Sequence, residues 1–307
     1  MNGIERSKKW FFEAVLPMLE KDFPQLLPRI AAGIAGRGSE CFGFDDEISL
    51  DHDCGTGVSL WLTDEDEAQY GFALMRAYNA LHKDDFPAKN SASKLGFQEH
   101  GVSRITDFYR RHLGFPKAPE CWQEWFYTPE YAFAEAVNGE VFLDKTGIFS
   151  GIRAQIKAGF PEDVRKKKIA YCAIMMAQSG QYNFSRCLKH GEKGAAMLAL
   201  DDFVRHGLRM IFLLNNRFMP YYKWSFRSAS MLPQFSSTAI DLENLLTANS
   251  SNTEKIDTIE KISADIIAGL KAQKLSDASG NYLEPHAFAA ASTIVNTQLR
   301  SMHIMEG

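Results

Sequence analysis

Several features that would define a membrane, secreted or polynucleotide-binding protein are missing from this sequence. No stretch approaches the roughly 20 consecutive apolar residues that a membrane-spanning helix requires. The first ten residues, MNGIERSKKW, are amphipathic and lack the apolar core of a signal peptide. A formal net charge of -4 gives no basic excess for a nucleic-acid backbone. These absences count against a membrane anchor, secretion and template-directed polymerisation.

Cysteine is scarce, and repeats are absent. The five cysteines are an odd number, and no two lie at the close spacing of a zinc site or a redox motif: Cys41, Cys54, Cys121, Cys172 and Cys187. Reduced thiols, together with the missing signal peptide, predict a cytoplasmic protein. There is no internal repeat or low-complexity tract. At 307 residues the chain is long enough for one large or two medium domains.

What the sequence does contain is a distinctive stretch from Gly33 to Leu62. An apolar run ends in Gly38 and Ser39, an acidic loop follows, and Asp51-His52-Asp53 precedes an alternating apolar segment. Alternation of period two predicts a strand, and side chains two apart on a strand share a face. The carboxylates of Asp51 and Asp53 are therefore expected to point the same way. Two carboxylates near a flexible Gly-Ser turn can hold a hard cation and a nucleotide's phosphates.

This order of features resembles the signature of the polymerase-beta-type nucleotidyltransferase superfamily. That signature is an apolar strand, Gly-Ser, a spacer, and Asp-x-Asp at the start of the next strand. Here the pair is Gly38-Ser39 and the spacer runs from Glu40 to Leu50. The segment GSECFGFDDEISLDHD also resembles sequences of a bacterial family of uncharacterised nucleotidyltransferase-like proteins, DUF4037. This resemblance extends into the C-terminal half of the chain. The resemblance implies Mg²⁺-dependent transfer of a nucleoside monophosphate, AMP from ATP, to a hydroxyl group.

The resemblance also assigns roles to residues. Asp51 and Asp53 would bind Mg²⁺, as two ions, while Gly38 would allow close approach of the backbone and Ser39 would donate to a phosphate oxygen. In the superfamily a third carboxylate often projects from a following strand. The predicted strand 101–106 offers no obvious acid, because alternation presents Ser103 or Ile105 at that place.

Two other acids are candidates for the third carboxylate. Asp107 begins the next predicted helix, where a capping role is favoured over a ligand role. Asp144 ends the apolar stretch Val141-Phe142-Leu143, and for it a metal-ligand role and a turn role stay equally open.

The predicted fold class is α+β. An N-terminal nucleotidyltransferase fold, a small mixed sheet flanked by helices, is expected over 1–158 as the catalytic domain. Strand signals stop near Pro161, so an all-α helical bundle that binds the acceptor is expected over 159–307. Its predicted helices run from Pro161 to Gln178, ended by Gly180 and a polar hinge, and then over 192–216, 254–273 and 285–303.

The bundle carries candidates for the proton acceptor. Asp201 and Asp202 lie on an edge of helix 192–216 with Arg205 and Arg209, where exposed ion pairs within the helix are the plain interpretation. The resemblance to antibiotic nucleotidyltransferases implies instead that one of the two aspartates deprotonates the acceptor hydroxyl. The lysine run 166–168 is interpreted as a solvated helix face.

Aromatic residues gather at two places. At the end of helix 192–216, Tyr222 is a candidate hydrogen-bond donor to a ligand or to backbone. Lys223 is either a phosphate ligand or a cap of that helix's C-terminus, and the two roles stay equally open. The segment Cys121–Tyr127 can stack a nucleobase, but a role in the core or in a domain seam is favoured.

The partners that follow are a nucleoside triphosphate and a hydroxyl acceptor, which the sequence leaves open among an aminoglycoside-like antibiotic, another metabolite and a protein. A homo-oligomer is also left open. The competing class is a nucleotide-binding regulatory or toxin-antitoxin-type module, which either modifies a protein partner or, as a degenerate member, binds nucleotide and regulates a partner without turnover. The uncertain third carboxylate favours this class somewhat.

Overall fold

A computed structural model describes residues 1–46, 57–85 and 100–307, which form two compact units. Unit 1 comprises Met1–Glu120 and Tyr131–Ala158, and unit 2 comprises Cys121–Glu130 and Gly159–Gly307. The units differ from the predicted domains 1–158 and 159–307 in the segment 121–130, which the chain contributes to unit 2. The roles assigned to the two domains stay predictions.

Unit 1 contains a four-stranded mixed sheet of order β3-β2-β1-β4 in the described part of the chain. Strand β1 pairs antiparallel with both β2 and β4, whereas β2 pairs parallel with β3. An added Cβ on Gly33 would come within 2.9 Å of Val141 Cα, so the approach of β1 to β4 needs a glycine there. The strands are β1 Ala31–Ile34, β2 Ser59–Leu62, β3 Gly101–Arg104 and β4 Glu140–Asp144.

Helices cover both faces of this sheet. Leu60 and Leu62 of β2 pack into a core with Phe11 and Leu19 of the N-terminal helical segment. Trp61, on the other face, stacks on Phe149 with 3.9 Å between the ring centroids. All four residues of β2 are buried, so the alternation that predicts this strand separates two buried faces.

The helices of unit 1 frame the strands. The N-terminal helix contains a π-helical segment, Phe11–Val15, between α1 and α2. The Thr63 hydroxyl accepts from the Asp66 N–H at 3.1 Å, as a cap for the helix after β2. The helices are α1 Gly3–Trp10, α2 Leu16–Asp22, α3 Ser39–Phe42, α4 Asp64–Asp85, α5 Ile105–Leu113, α7 Glu130–Val137, whose first residue belongs to unit 2, and α8 Ile148–Lys157.

Unit 2 is helical throughout its secondary structure. Its helices are α6 Trp122–Tyr127, α9 Glu162–Met176, α10 Ser185–Lys189, α11 Lys193–Leu214, α12 Tyr222–Ala229, α13 Ser236–Thr247, α14 Asn252–Ala272, α15 Leu283–Ser292 and α16 Thr297–Ser301. Helix α9 is central, because α11 and α15 both pack against it. Over the three described ranges, no helix combines the length and the apolar character that crossing a membrane demands. The α+β class is confirmed: a small mixed sheet with its helices precedes a helical bundle.

Two predicted helix boundaries in unit 2 are wrong. Gly180 does not end its helix; it lies in a π-helical segment, Ala177–Phe184, that joins α9 to α10. The predicted polar hinge is therefore helical, and the Phe203 ring occupies the space where a side chain at 180 would lie. The predicted helix 285–303 is broken after Ser292, where Asp163 accepts from the backbone N–H groups of Val295 and Asn296.

The prediction that the lysine run 166–168 is solvated is also wrong. Lys167 and Lys168 are each only 2% exposed. Each of the three ammonium groups donates to a backbone carbonyl: Lys166 to Thr293 at 3.1 Å, Lys167 to His303 at 2.6 Å, and Lys168 to Phe126 at 2.9 Å. These lysines attach distant parts of unit 2 to α9, because carbonyl groups in the last turn of a helix or beyond it have no partner within the helix and need other donors.

Glu130 joins two buried cations in unit 2. Its Oε1 lies 2.7 Å from Arg209 Nε and 3.7 Å from Lys168 Nζ. Burial lowers the pKa of Lys168 to about 8, although the nearby Glu130 carboxylate opposes the shift. The sequence predicted that Arg209 takes part in exposed ion pairs within α11. This prediction is wrong for Arg209, because its side chain is 16% exposed and its partner is Glu130.

We expect Glu130→Gln to lower the free energy of unfolding by about 3 kcal/mol or more, because it leaves Arg209 and Lys168 buried without an opposite charge. Urea unfolding followed by circular dichroism measures the change. Glu162→Gln is the matched control, since the same chemical change there affects an exposed acid paired with Arg165 in its own helix. The control should cost less than about 1 kcal/mol. Equal losses of stability in Glu130→Gln and Glu162→Gln would contradict the role assigned to the buried Glu130 carboxylate.

Candidate functional site

One end of the sheet of unit 1 gathers the residues around the Gly-Ser turn. Residue pairing joins Gly33 to Ser59, Ser59 to Gly101, and Ile34 to Glu140. The carboxyl end of β1 therefore lies beside the amino ends of β2, β3 and β4. We call this the turn end of the sheet, because Gly38 and Ser39 follow β1 there.

The turn is held from the segment before β4. Gly36 N–H donates to Asn138 Oδ1 at 2.9 Å, and Asn138 Nδ2 donates back to Gly36 O at 2.6 Å. Gly139 N–H donates to Cys41 O at 2.7 Å, directly after the turn. Arg153 in turn donates to Gly139 O at 2.8 Å. Four hydrogen bonds thus fix the backbone on both sides of the turn.

Gly38 is the N-cap residue of α3, and Ser39 and Glu40 begin that helix buried. A Cβ on Gly38 would strike the carboxylate of Glu40, whose side chain is 4% exposed. Glu40 Oε1 lies 3.5 Å from Nε2 of His100, and the His100 ring packs within 2.7 Å of where a Cβ on Gly57 would lie. Glycine at 38 thus leaves room for the buried Glu40 carboxylate. The predicted roles of Gly38 and Ser39 toward phosphate stay predictions.

The two aspartates on which the metal prediction rests, Asp51 and Asp53, lie outside the described residues. Nearby, Asp45 Oδ2 accepts from Gly3 N–H at 2.7 Å and from Arg6 Nη2 at 3.2 Å. Asp45 Oδ1 is buried and has no hydrogen-bond partner among the described residues. Carboxylate oxygens suit a hard cation. Within 1–46, 57–85 and 100–307, however, no three or more His, Cys, Asp or Glu residues form a group that could hold a metal ion.

Asp144 lies at the opposite end of the sheet from the Gly-Ser turn. It pairs with Ala31, three residues before Ile34, a separation of about 10 Å along the strand. Its Oδ1 accepts from Gly147 N–H at 2.9 Å and its Oδ2 from Ser150 N–H at 2.7 Å, in the first turn of α8. These contacts favour the turn role that the sequence left open.

Asp107 is not the cap of its helix. Helix α5 starts at Ile105, two residues earlier than predicted, with Arg104 at the N-cap. Asp107 lies in the first turn and pairs with Arg110 at 3.2 Å. The predicted strand 101–106 is correspondingly shorter, so Ile105 does not extend from the sheet.

In unit 2, Asp201 and Asp202 both have partners on α11. Asp201 Oδ2 lies 2.7 Å from Arg205 Nε, the exposed ion pair expected from the sequence. Asp202 Oδ1 lies 3.3 Å from His206 Nε2. Burial lowers the pKa of His206, against the opposite influence of Asp202, so the imidazole tends to be neutral at pH 7. Both carboxylates are about two-fifths exposed, which leaves them accessible from solvent.

Tyr222 and Lys223 begin α12. Tyr222 is 73% exposed. Lys223 Nζ lies 5.1 Å from the centroid of the Trp224 ring, a cation-π contact. Lys223 lies in the first turn of α12, nine residues after α11 ends at Leu214, and both of its predicted roles stay predictions.

The aromatic segment 121–127 serves mainly as core, as the sequence favoured. Trp125 and Phe126 are buried, and Trp125 stacks on Phe218 with 6.4 Å between centroids. Phe160 meets the Trp125 ring edge to face. Among the aromatic residues of this segment, only Tyr127 is strongly exposed, at 64%.

Sequence reasoning missed four polar residues near the turn: Glu40, His100, Asn138 and Glu135. Glu135 is buried on α7 and lies 3.3 Å from Arg37 Nε and 3.3 Å from His112 Nδ1. A signal for this group was present, because Arg37 is the single lysine or arginine between Gly33 and Leu62.

Comparison with known proteins gives a family without an assigned activity. The family described as "Domain of unknown function (DUF4037)" matches residues 125–225, about a third of the chain, and confirms the resemblance to it. The matched range contains Asp144, Asp201, Asp202, Tyr222 and Lys223 and begins after the Gly-Ser turn. No curated protein matches.

One similar solved structure is that of a nucleotidyltransferase-like protein from Exiguobacterium sibiricum 255-15. It is 10% identical, with a TM-score of 0.37, and the likeness covers 85% of this chain and 76% of that chain.

We expect Gly38→Ala to lower the free energy of unfolding by about 1–3 kcal/mol, because the added methyl displaces the buried Glu40 carboxylate. In a double-mutant cycle with Glu40→Ala, the combined cost should be smaller than the sum. Gly151→Ala is the control, since a Cβ there meets nothing within 4 Å and the residue lies inside α8. If the losses of stability from Gly38→Ala and Glu40→Ala simply add in the double variant, the proposed clash between the added methyl and the Glu40 carboxylate is contradicted.

We expect Asp144→Ala to cost about 1 kcal/mol of stability, because two N–H groups at the start of α8 lose their acceptor. Binding of Mg²⁺ and ATP per folded molecule should not change. Calorimetric titration and thermal unfolding measure the two properties. Should Asp144→Asn abolish binding while the protein keeps its stability, Asp144 is a metal ligand instead.

Proposed function

We propose that this protein is a Mg²⁺-dependent nucleotidyltransferase that moves a nucleoside monophosphate, AMP from ATP, onto a hydroxyl group of a small molecule. One observation carries the proposal. The antiparallel pairing of β1 with β2 puts the Gly38-Ser39 turn and the start of β2 at the same end of the sheet. The chain between them contains Asp51 and Asp53. Adjacent strand ends, joined through a Gly-Ser turn and an Asp-x-Asp segment, resemble the arrangement in the superfamily signature.

In this proposal Asp51 and Asp53 hold the metal, as two Mg²⁺ ions. Bound there, Mg²⁺ would neutralise charge on the phosphate oxygens and on the departing pyrophosphate. Asp45 Oδ1, which is buried and has no hydrogen-bond partner within the described part of the chain, is consistent with a positive group near this turn. Asp51 and Asp53 lie outside the described residues, so the proposal takes them from the sequence.

The chain's own groups would position the reactants. Gly38 brings backbone close to the phosphates, and the Ser39 hydroxyl donates to a phosphate oxygen. The acceptor oxygen attacks the α-phosphorus, the bond to pyrophosphate breaks, and the hydroxyl proton passes to a carboxylate. Asp201 or Asp202 is the proposed proton acceptor, supported by its exposure on α11. Tyr222 and Lys223 are proposed ligands of the nucleotide, supported by their position at the start of a helix.

A second candidate is a nucleotide-binding regulatory or toxin-antitoxin-type module without turnover. The observation that favours it is the metal donor set: no third carboxylate joins a cluster within the described residues, and Asp144 is engaged by α8. A nucleotide would then bind and influence a protein partner without being cleaved.

We expect the protein to release pyrophosphate from ATP and Mg²⁺ when a suitable acceptor is present. An enzyme-coupled pyrophosphate assay would test amino sugars, other hydroxyl-bearing metabolites and protein acceptors. Asp51→Asn and Asp53→Asn should each lower the rate by about 100-fold or more while thermal unfolding is unchanged. Glu65→Gln, an exposed acid in the first turn of α4, is the control and should keep full activity.

The same variants separate the two candidates. Calorimetric binding of ATP with Mg²⁺, without pyrophosphate release with any acceptor, would support the regulatory module. Full activity in both aspartate variants would overturn the site assignment.

A further inference from the structure

Acids greatly outnumber bases in the stretch of sequence around the Gly-Ser turn. The stretch from Gly33 to Leu62 contains six acids: Glu40, Asp45, Asp46, Glu47, Asp51 and Asp53. Arg37, one residue before Gly38, is its single lysine or arginine. A nucleoside triphosphate brings several negative charges to such a place. Repulsion from the acids must be offset by bound cations and by positive side chains.

Of the other bases near the turn end of the sheet, Arg153 is buried where it donates to Gly139 O, and two more pair with acids, as Arg37 itself does. Arg6 pairs with Asp45 at 3.2 Å, and Lys8 pairs with Glu140 at 2.5 Å. Both come from α1, whereas Arg37 is part of the turn itself. Arg37 is therefore the base best placed for a ligand held by Gly38 and Ser39.

The orientation of the Arg37 side chain is fixed by a buried acid. Arg37 Nε lies 3.3 Å from Glu135 Oε2, and the Glu135 side chain is 8% exposed. The same oxygen lies 3.3 Å from Nδ1 of His112, whose side chain is 1% exposed. A carboxylate so enclosed has little freedom to move, so it holds the arginine in one direction.

The backbone of Arg37 is also fixed, while its side chain is accessible. Gly36, just before it, makes two hydrogen bonds to Asn138, and Gly38, just after it, caps α3. The Arg37 side chain is nevertheless 42% exposed. A guanidinium has five donors in a planar fork that matches phosphate oxygens. Fixing it before the ligand arrives lowers the entropy lost on binding.

We propose that Arg37 binds the phosphate chain of the nucleoside triphosphate, and that Glu135 is the residue that positions it. This inference rests on the proposed function, since it names a further residue of that same site. The plainer interpretation is that the Arg37–Glu135 pair only ties the turn to α7. That interpretation predicts an effect on stability and none on the affinity for phosphates.

Unit 1 provides a closely matched control pair. Arg29 Nη2 lies 2.9 Å from Asp66 Oδ1, with the arginine 47% and the acid 6% exposed. The pair resembles Arg37 and Glu135 in exposure and composition. Arg29, however, precedes β1, so it lies toward the opposite end of the strand from the turn.

The experiment titrates three probes, ATP with Mg²⁺, inorganic tripolyphosphate with Mg²⁺, and AMP, into the full-length protein by calorimetry. Arg37→Ala should weaken ATP and tripolyphosphate binding by about 10- to 100-fold, as expected for charge-assisted hydrogen bonds. AMP affinity should change less than about 2-fold, because AMP lacks the β- and γ-phosphates. Arg29→Ala should leave all three affinities unchanged.

Two further variants separate positioning from folding. Arg37→Lys keeps the charge without the fork, so it should recover part of the affinity for tripolyphosphate. Glu135→Gln should weaken ATP binding less than Arg37→Ala and leave AMP binding unchanged. Thermal unfolding of every variant identifies any that fail to fold, and Arg37→Lys and Arg37→Gln then replace Arg37→Ala.

The outcomes also distinguish this inference from the function on which it rests. If the wild-type protein binds neither ATP nor tripolyphosphate, the proposed function fails and the inference fails with it. If the wild type binds ATP and the Arg37 variants bind it equally well, the inference alone is overturned. Loss of ATP affinity in Arg29→Ala to the same extent as in Arg37→Ala would also overturn it, because the effect would then be structural.

Discussion

Hydrogen bonding along both edges of β1 decides which side chains meet at each end of the sheet. The strand is only four residues long, so a shift of one residue would change every pairing. Gly33 is critical to this register, since only a residue without Cβ allows β4 so close. With the register set, the Gly-Ser turn, His100 and Glu140 share one end of the sheet, whereas Asp144 lies at the other.

Buried acids on short helices are a common device in both units. In unit 1, Glu40 contacts His100 and Glu135 contacts Arg37. In unit 2, Glu130 joins Arg209 and Lys168. A buried ion pair contributes little net stability, but removing one member is costly, so such a pair strongly favours one arrangement over its alternatives. Around the turn, that arrangement is the one that presents Arg37 at the surface.

Local signals in the sequence predict the elements that depend on local physics. Alternation in β2 and the hydroxyl cap of Thr63 both identify elements that the structure contains, because strand burial and helix capping involve neighbouring residues. The lysine run shows where such reasoning fails. Its acceptors are the carbonyls of Phe126, Thr293 and His303, which are remote in sequence and which no periodic pattern indicates.

The candidate site was predictable to a smaller extent. The Gly-Ser turn is recognisable from its motif, but the location of Asp144 depends on strand register, which the sequence does not specify. Asp107 was predicted as the cap of its helix, but the helix starts two residues earlier than predicted. Asp107 therefore lies in the first turn. Glu40 and Glu135 escaped notice because surface acids and buried acids look alike in a sequence. Asp51 and Asp53, outside the described residues, stay predictions.

The path of the chain between the units has a consequence for how this protein can be divided. Residues 121–130 belong to unit 2, residues 131–158 belong to unit 1, and all residues from 159 onward belong to unit 2. A fragment that started at residue 159 would lack the Phe126 carbonyl and the Glu130 carboxylate that receive Lys168 and Arg209. Residues 159–307 therefore do not contain the whole of unit 2. Gene fusion or recombination at that junction would leave Lys168 and Arg209 without these acceptors. We therefore expect the two halves to be inherited together.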